Sequence, residues 1–222
     1  MRSLLLINPN TTVAMTERMA AAAARLLPEG VALEALTAQS GAPVIASRAA
    51  YALAADAVPE IYARARGPYG AVVIGCFGDP GLEALRALTR EPVVGLAESS
   101  IREADALGEP FAILTLGQAW VEMLNERVAL ASVRTPFIGV FAGEGTGLDM
   151  SRREAGTIAE LNRLAGAAIA AGARTLILGG AALTGMAERL GTDARLIDCV
   201  EAAVRAALEA GWAGCPGPAA RA

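Results

Sequence analysis

The sequence predicts an α/β protein built as two pseudosymmetric four-stranded parallel-sheet α/β domains, with a site in the cleft between them. Three observations lead to this fold class. Short runs rich in leucine and β-branched residues alternate with longer segments of Ala, Leu, Glu and Arg, as chains of βαβ units do. The strand candidates are apolar on both faces, which suits a parallel sheet covered by helices on both sides. The strand-end motifs of the first half recur, in the same order, in the second.

Taken in chain order, SLLLIN (3–8) is an uninterrupted apolar run closed by Asn8 and Pro9, and a helix is expected over 12–27 behind Asn10, Thr11 and Thr12, residue types that cap helices. VALEALTA (31–38) lies between Pro28-Glu29-Gly30 and Ser40-Gly41, turn residues on either side, and precedes an alanine-rich helix over 47–66. AVVIGC (71–76) is the third strand, with a helix over 80–89 opened by Pro80, a residue suited to the first helical turn. PVVGLA (92–97) and a helix over 98–107 complete the first set. The second set reads FAILTL (111–116) with a helix over 119–131, FIGVFA (137–142) with 151–171, TLILGG (175–180) with 182–190, and RLID (195–198) with 199–211.

The two sets align as a repeat. Cys76 and Gly180 lie 104 positions apart, Gly75 matches Gly179, Gly81 matches Gly185, and the turn from Asn8 to Thr12 matches the turn from Thr115 to Ala119. This pattern indicates a duplication, although any α/β chain tends to place glycine after its strands. The expected domains are residues 1–98 plus 199–222, and residues 99–198.

Composition narrows the chemistry. The chain has 222 residues, 54% of them hydrophobic, enough for a substantial core. Its apolar runs are short of the roughly 20 residues that span a membrane, and Arg2 leads straight into a strand, so a cytoplasmic protein is expected. A net charge of −4 without basic clusters gives no reason to expect nucleic acid. There is no histidine, and all 19 basic residues are arginine. That removes Ser-His-Asp triads, His-ligated zinc, the pyridoxal Schiff base and the Walker lysine. Three cysteines without paired spacing form neither a disulfide framework nor a Cys₄ zinc site. General acid–base work is left to Asp, Glu, Cys or Tyr.

In open α/β sheets ligands bind beyond the carboxyl ends of the strands. NPNTT, CFGDPG, TLGQ and GGAALTG all stand there. Cys76, between a strand and a helix beginning at Pro80, is expected to feel the positive end of that helix and to favour thiolate. At least one of Asn8, Asn10, Thr11 and Thr12 is expected to face a ligand while another caps a helix. Asp79 is expected either to cap the helix at Pro80 or to bond substrate. Thr115 mirrors Asn8. Cys199 and Cys215 read as structural or incidental, and GEGTG (143–147), without a following lysine, reads as a loop rather than a phosphate site.

INPNTT, GCFGDPGL, GLAE (95–98) and the LGG-A-L-G pattern at 178–185 together resemble the aspartate/glutamate/hydantoin racemase superfamily, and within it the hydantoin and allantoin racemase group. The resemblance runs over essentially the whole chain. It implies a small-molecule substrate, no metal, no organic cofactor, and a cysteine on each face of the substrate, one removing a proton beside a carbonyl and the other returning one. Cys76 matches the first cysteine. Asn8, Asn10 and Thr11, then Phe77, Gly78 and Asp79, then Thr115 and Gly117, match the substrate-holding loops. Gly180, beside Ala181, stands where the second cysteine would be. A cofactor-independent racemase or epimerase of hydantoin-like or amino-acid-derived substrates is therefore expected. The alternatives are a one-sided cysteine-dependent decarboxylase, isomerase or lyase, and a small-molecule-binding protein without catalysis. Cleft enzymes of this size often associate, so a homo-oligomer is expected.

Overall fold

A computed structural model describes residues 2–145 and 154–212. Eight strands form two four-stranded, all-parallel sheets. The first contains β1 (Ser3–Asn8), β2 (Leu33–Thr37), β3 (Tyr69–Ile74) and β4 (Val93–Gly95) in the order β2-β1-β3-β4. The second contains β5 (Phe111–Leu116), β6 (Phe137–Gly143), β7 (Thr175–Leu178) and β8 (Arg195–Asp198) in the matching order β6-β5-β7-β8. The shared order is the three-dimensional counterpart of the repeat. Among the described residues no helix is long and apolar enough to cross a membrane.

The helices are α1 (Val13–Ala24), α2 (Arg48–Ala63), α3 (Leu82–Leu88), α4 (Leu96–Leu107), α5 (Trp120–Ala131), α6 (Glu154–Ala170) and α7 (Cys199–Gly211). The central strands β1, β3, β5 and β7 bury both faces, so their alternate residues enter different cores. Leu5, Ile7, Val72 and Ile74 face an outer core with Val58, Ile61, Leu82 and Leu85 of α2 and α3. Leu114, Leu176 and Leu178 face the corresponding outer core with Leu161 and Leu164 of α6. Leu4, Leu6, Val73, Phe111, Ile113 and Ile177 turn inward to a core that also includes Ile101 and Ala104 of α4 and Val200 and Val204 of α7. One apolar layer therefore joins the two sheets.

Helix α7 returns from the second sheet to cover β3, and the approach is close enough to require glycine. A methyl built on Gly211 would stand 2.7 Å from the carbonyl carbon of Gly70 and nearer still to its oxygen. Gly70, in turn, leaves the space filled by the Trp212 indole. Gly211→Ala should destabilise the fold by about 1–3 kcal/mol through overpacking. For a chain of this size that is a fall of roughly 2–4 °C per kcal/mol in the thermal midpoint. An unchanged midpoint in a circular-dichroism melt would contradict this packing.

Two expected elements differ. No single helix spans 182–190: two 3₁₀ turns, Ala181–Leu183 and Ala187–Arg189, stand there. Gly185 interrupts them at φ 78°, and its N–H is drawn 2.7 Å onto the Asp198 carboxylate. The second difference concerns Cys76. Strand β3 ends at Ile74, and α3 begins only at Leu82, after Gly81 at φ 74°. Pro80 is not in its first turn, and α3 has only seven residues. Cys76 thus lies in the turn between these elements, not at a helix N-terminus.

Candidate active site

The carboxyl ends of β1, β3, β5 and β7 surround a cavity of about 70 Å³. Cys76 and Phe77 line one side of it, and Gly179 to Leu183 line another. Asn10 and Thr115 supply the polar side chains, while Met15, Val44, Ile45, Leu116 and Trp120 make apolar wall. Among the described lining residues, Cys76 carries the one ionisable side chain.

The polar groups are aimed by partners behind them. Asn8 is fully buried; its Nδ2 donates to Asn10 Oδ1 at 3.1 Å and to Thr16 Oγ1 at 2.9 Å, and its Oδ1 accepts the Asn10 N–H at 3.1 Å. Asn10 Oδ1 also accepts the Thr12 N–H at 2.9 Å. The Asn10 oxygen is therefore occupied, whereas its Nδ2 meets only the thioether of Met15 at 3.2 Å, a weak acceptor. Asn10 presents a donor to the cavity. Thr115 Oγ1 donates to the Gly179 carbonyl at 2.7 Å, which turns its lone pairs toward the cavity. The N–H groups of Phe77 and of Ala181 and Ala182, the last two at the start of a helical turn, have no backbone acceptor among the described residues. Each is a further donor on a cavity-lining residue.

Cys76 is 7% exposed and packs beside Ile45 and Ala54. Burial pushes its thiol well up from the ordinary range, and the nearby Asp79 carboxylate pushes it further. The thiolate-favouring environment expected at this position is thus corrected. The helix dipole it required is missing, and desolvation acts the other way.

Several residues expected to touch substrate do not line the cavity. Asn8 lies behind Asn10. Thr11 donates its N–H to the Ala42 carbonyl at 3.2 Å. Gly78, at φ 141°, lies under the Trp120 ring, and its carbonyl accepts the Tyr51 hydroxyl at 2.9 Å. Gly117, at φ 94°, forms the turn that starts α5, with its carbonyl accepting the Trp120 N–H at 3.1 Å. Asp79 neither reaches the cavity nor caps a helix at Pro80. Its carboxylate caps α4 instead, accepting the Ala97 N–H at 2.9 Å and the Glu98 N–H at 2.8 Å, and pairs with Arg127 at 3.1 Å. The structure does bring Asn10, Cys76, Phe77, Thr115, Gly180 and Ala181 together. Cys199 is fully buried in the core shared by the sheets, and Cys215 lies outside the described residues, as does the GEGTG stretch beyond Gly145.

Sequence reasoning missed the apolar wall. Val44 and Ile45 are an apolar pair inside a Gly/Pro/Ser-rich loop, and Trp120, one of two tryptophans, stands immediately after a strand-end turn. Both are features that periodicity does not register.

Residues 4–207 match the Asp/Glu/Hydantoin racemase family. The hydantoin racemase of Paenarthrobacter aurescens is 35% identical over 216 residues, covering 92% of this chain and 89% of that protein. The crystal structure of allantoin racemase from Pseudomonas fluorescens superposes with a TM-score of 0.91 at 27% identity, over 99% of this chain and 94% of the other. Allantoin racemase from Klebsiella pneumoniae gives a TM-score of 0.86 at 26% identity, over 98% and 91% of the two chains. With matching strand order, nearly full coverage and the strand-end loops gathered round one cavity, the chain belongs to the Asp/Glu/hydantoin racemase family.

Proposed function

We propose that the protein racemises small, neutral, hydantoin-like rings by proton transfer at the carbon beside a carbonyl, with Cys76 as the base and no metal or organic cofactor in the step. The carrying observation is the placement of Cys76 in a closed cavity whose described lining holds no other ionisable side chain. A substrate bearing a carboxylate would find no countercharge among these residues, whereas an uncharged ring can use the Asn10 amide and the Phe77 N–H as donors to its carbonyl oxygens. Those donors would be stronger when that oxygen gains charge in the enolate-like intermediate. Met15, Ile45 and Trp120 would take an apolar ring substituent.

In the forward step the Cys76 thiolate takes the carbon-bound proton, giving a thiol and the enolate. Water over Gly180 then protonates the opposite face, and the resulting hydroxide recovers the proton from Cys76 to restore thiolate and water. The base must first ionise against its burial. Because its acidity is shifted upward, the thiol is protonated at neutral pH, and the thiolate fraction should grow tenfold per pH unit. We therefore expect kcat/KM to rise with a slope near one in log units from pH 7 to 9.5. A plateau beginning near pH 7 would mean that the thiolate is already formed.

Gly180 favours a second reading, one-sided exchange, because the wall opposite Cys76 carries no thiol. One experiment separates the two. Enantiopure 5-substituted hydantoins are incubated with the protein in D₂O, and both deuterium at C5 and optical rotation are followed. Deuterium uptake with loss of rotation supports racemisation. Uptake with retained configuration makes the protein a one-sided catalyst. No uptake on any hydantoin rejects both.

A further inference from the structure

The turn that carries Cys76 is anchored in a way that capping alone does not explain. Ile74 of β3 pairs with Gly95 of β4, and Leu178 of β7 pairs with Asp198 of β8, so Gly95 and Asp198 are equivalent positions of the repeat. In the second half, Asp198 caps its own helix: its carboxylate accepts the Val200 N–H at 2.9 Å and the Glu201 N–H at 3.3 Å. In the first half the capping carboxylate comes from Asp79, three residues after Cys76. Gly95 has no side chain because the Asp79 carboxylate fills that space; a methyl on Gly95 would overlap its carbon.

The Asp79 side chain is fully buried, its backbone stands at φ 59°, and its N–H donates to the Cys76 carbonyl at 3.0 Å. Its countercharge comes from the other half of the molecule: Arg127 of α5, 18% exposed. The same helix begins with Trp120, which covers Gly78 and lines the cavity. Tyr51 and Glu83 are the other titratable groups whose fields meet here.

We propose that Arg127 is a positioning residue for Cys76: by neutralising and fixing Asp79, it holds the thiol-bearing turn against α5 and shields the thiol from a carboxylate three residues away. The inference rests on Cys76 as the reacting group. Arg127 does not line the cavity, so its loss should act on the thiol and not on substrate affinity. Burial already pushes the Asp79 carboxyl upward, while Arg127 and the Ala97 and Glu98 N–H groups pull it back down. Without Arg127, the charge on Asp79 would oppose that on the thiolate.

The test is the rate of iodoacetamide alkylation at pH 8.5, read by mass spectrometry on the Cys76 peptide, in wild type, Arg127→Lys, Arg127→Gln and the double variant Asp79→Asn/Arg127→Gln. Arg127→Lys keeps the charge and should stay within about threefold of wild type. Arg127→Gln should alkylate about tenfold more slowly, and the double variant, with both charges gone, should recover to within about threefold. On hydantoin, Arg127→Gln should lower kcat with KM little changed. A merely structural role predicts the opposite order: a loosened turn reacts faster, and the double variant is worse than the single. Faster or unchanged alkylation in Arg127→Gln overturns the proposal. If Arg127→Gln does not fold, Asp79→Asn alone should alkylate faster than wild type, and a slower rate overturns it equally. Alkylation needs no substrate, so this pattern stands or falls separately from turnover of hydantoins.

Discussion

Cys76→Ala should reduce deuterium exchange at the substrate carbon by about 10²- to 10⁴-fold, the range that a positioned general base contributes. The loss should appear without loss of the fold. Cys76 packs in a small cluster with Ile45 and Ala54, with Tyr51 and Trp120 alongside, and alanine removes one sulfur atom from it. The stability cost should be about 1 kcal/mol, near the centre of the range for point substitutions. Among the described residues, no neighbour lining the cavity can take over. Asn10 presents a donor, the Thr115 hydroxyl is committed to the Gly179 carbonyl, and the remaining lining is apolar or backbone. Cys76→Ser should fail in the same way, since a serine hydroxyl ionises far less readily than a thiol. The measurement is proton NMR of the C5 signal in D₂O, with a melt of each variant as the folding control. Exchange that survives in folded Cys76→Ala would show that the base is elsewhere.

The second large effect is expected in the opposite direction. Gly180→Cys should raise racemisation by about 10²-fold or more, by supplying a proton donor on the face that lacks one. The backbone allows it: Gly180 stands at φ 178°, extended geometry open to any residue, and an added Cβ would meet only Leu183 carbons, at 3.5 Å. The neighbouring glycines are different. A Cβ on Gly179 would stand 2.7 Å from Phe77 Cε1 and from Ile113 Cγ2, and one on Gly78 would stand 2.6 Å from the Trp120 ring. Of these, Gly180 alone can take a thiol without displacing packed side chains. Chiral chromatography of a hydantoin started from either enantiomer measures the rate. If Gly180→Cys folds and racemises no faster than wild type, the loops bearing residues 76 and 180 do not oppose one another across the substrate. A gain that also requires Cys76, tested in Cys76→Ala/Gly180→Cys, would establish two cooperating faces.

How much of this was readable beforehand follows from the range of each interaction. SLLLIN, FAILTL and RLID were found at their observed limits because a strand buried on both faces is announced by its own residues. The repeat was visible because equivalent turns carry equivalent glycines, and the matching strand orders follow from it. Cys76 and the loops around it could be placed together because parallel strands deliver their carboxyl ends to one side.

What the sequence by itself determined is therefore the parallel α/β repeat and the set of loops from which a site is made. Tertiary structure decided which atoms in those loops are free to act. Asp79 reads as a helix cap beside Pro80 until Ala97, Glu98 and Arg127, 18 to 48 positions away, claim its carboxylate. Cys76 reads as an activated thiol until Ile45 and Ala54 bury it and shift its acidity upward. The room over Gly180 and the crowding over Gly179 are set by Leu183, Phe77 and Ile113. Hydrophobic period is a local property of the chain, whereas desolvation, charge pairing and steric room belong to neighbours that only folding brings together.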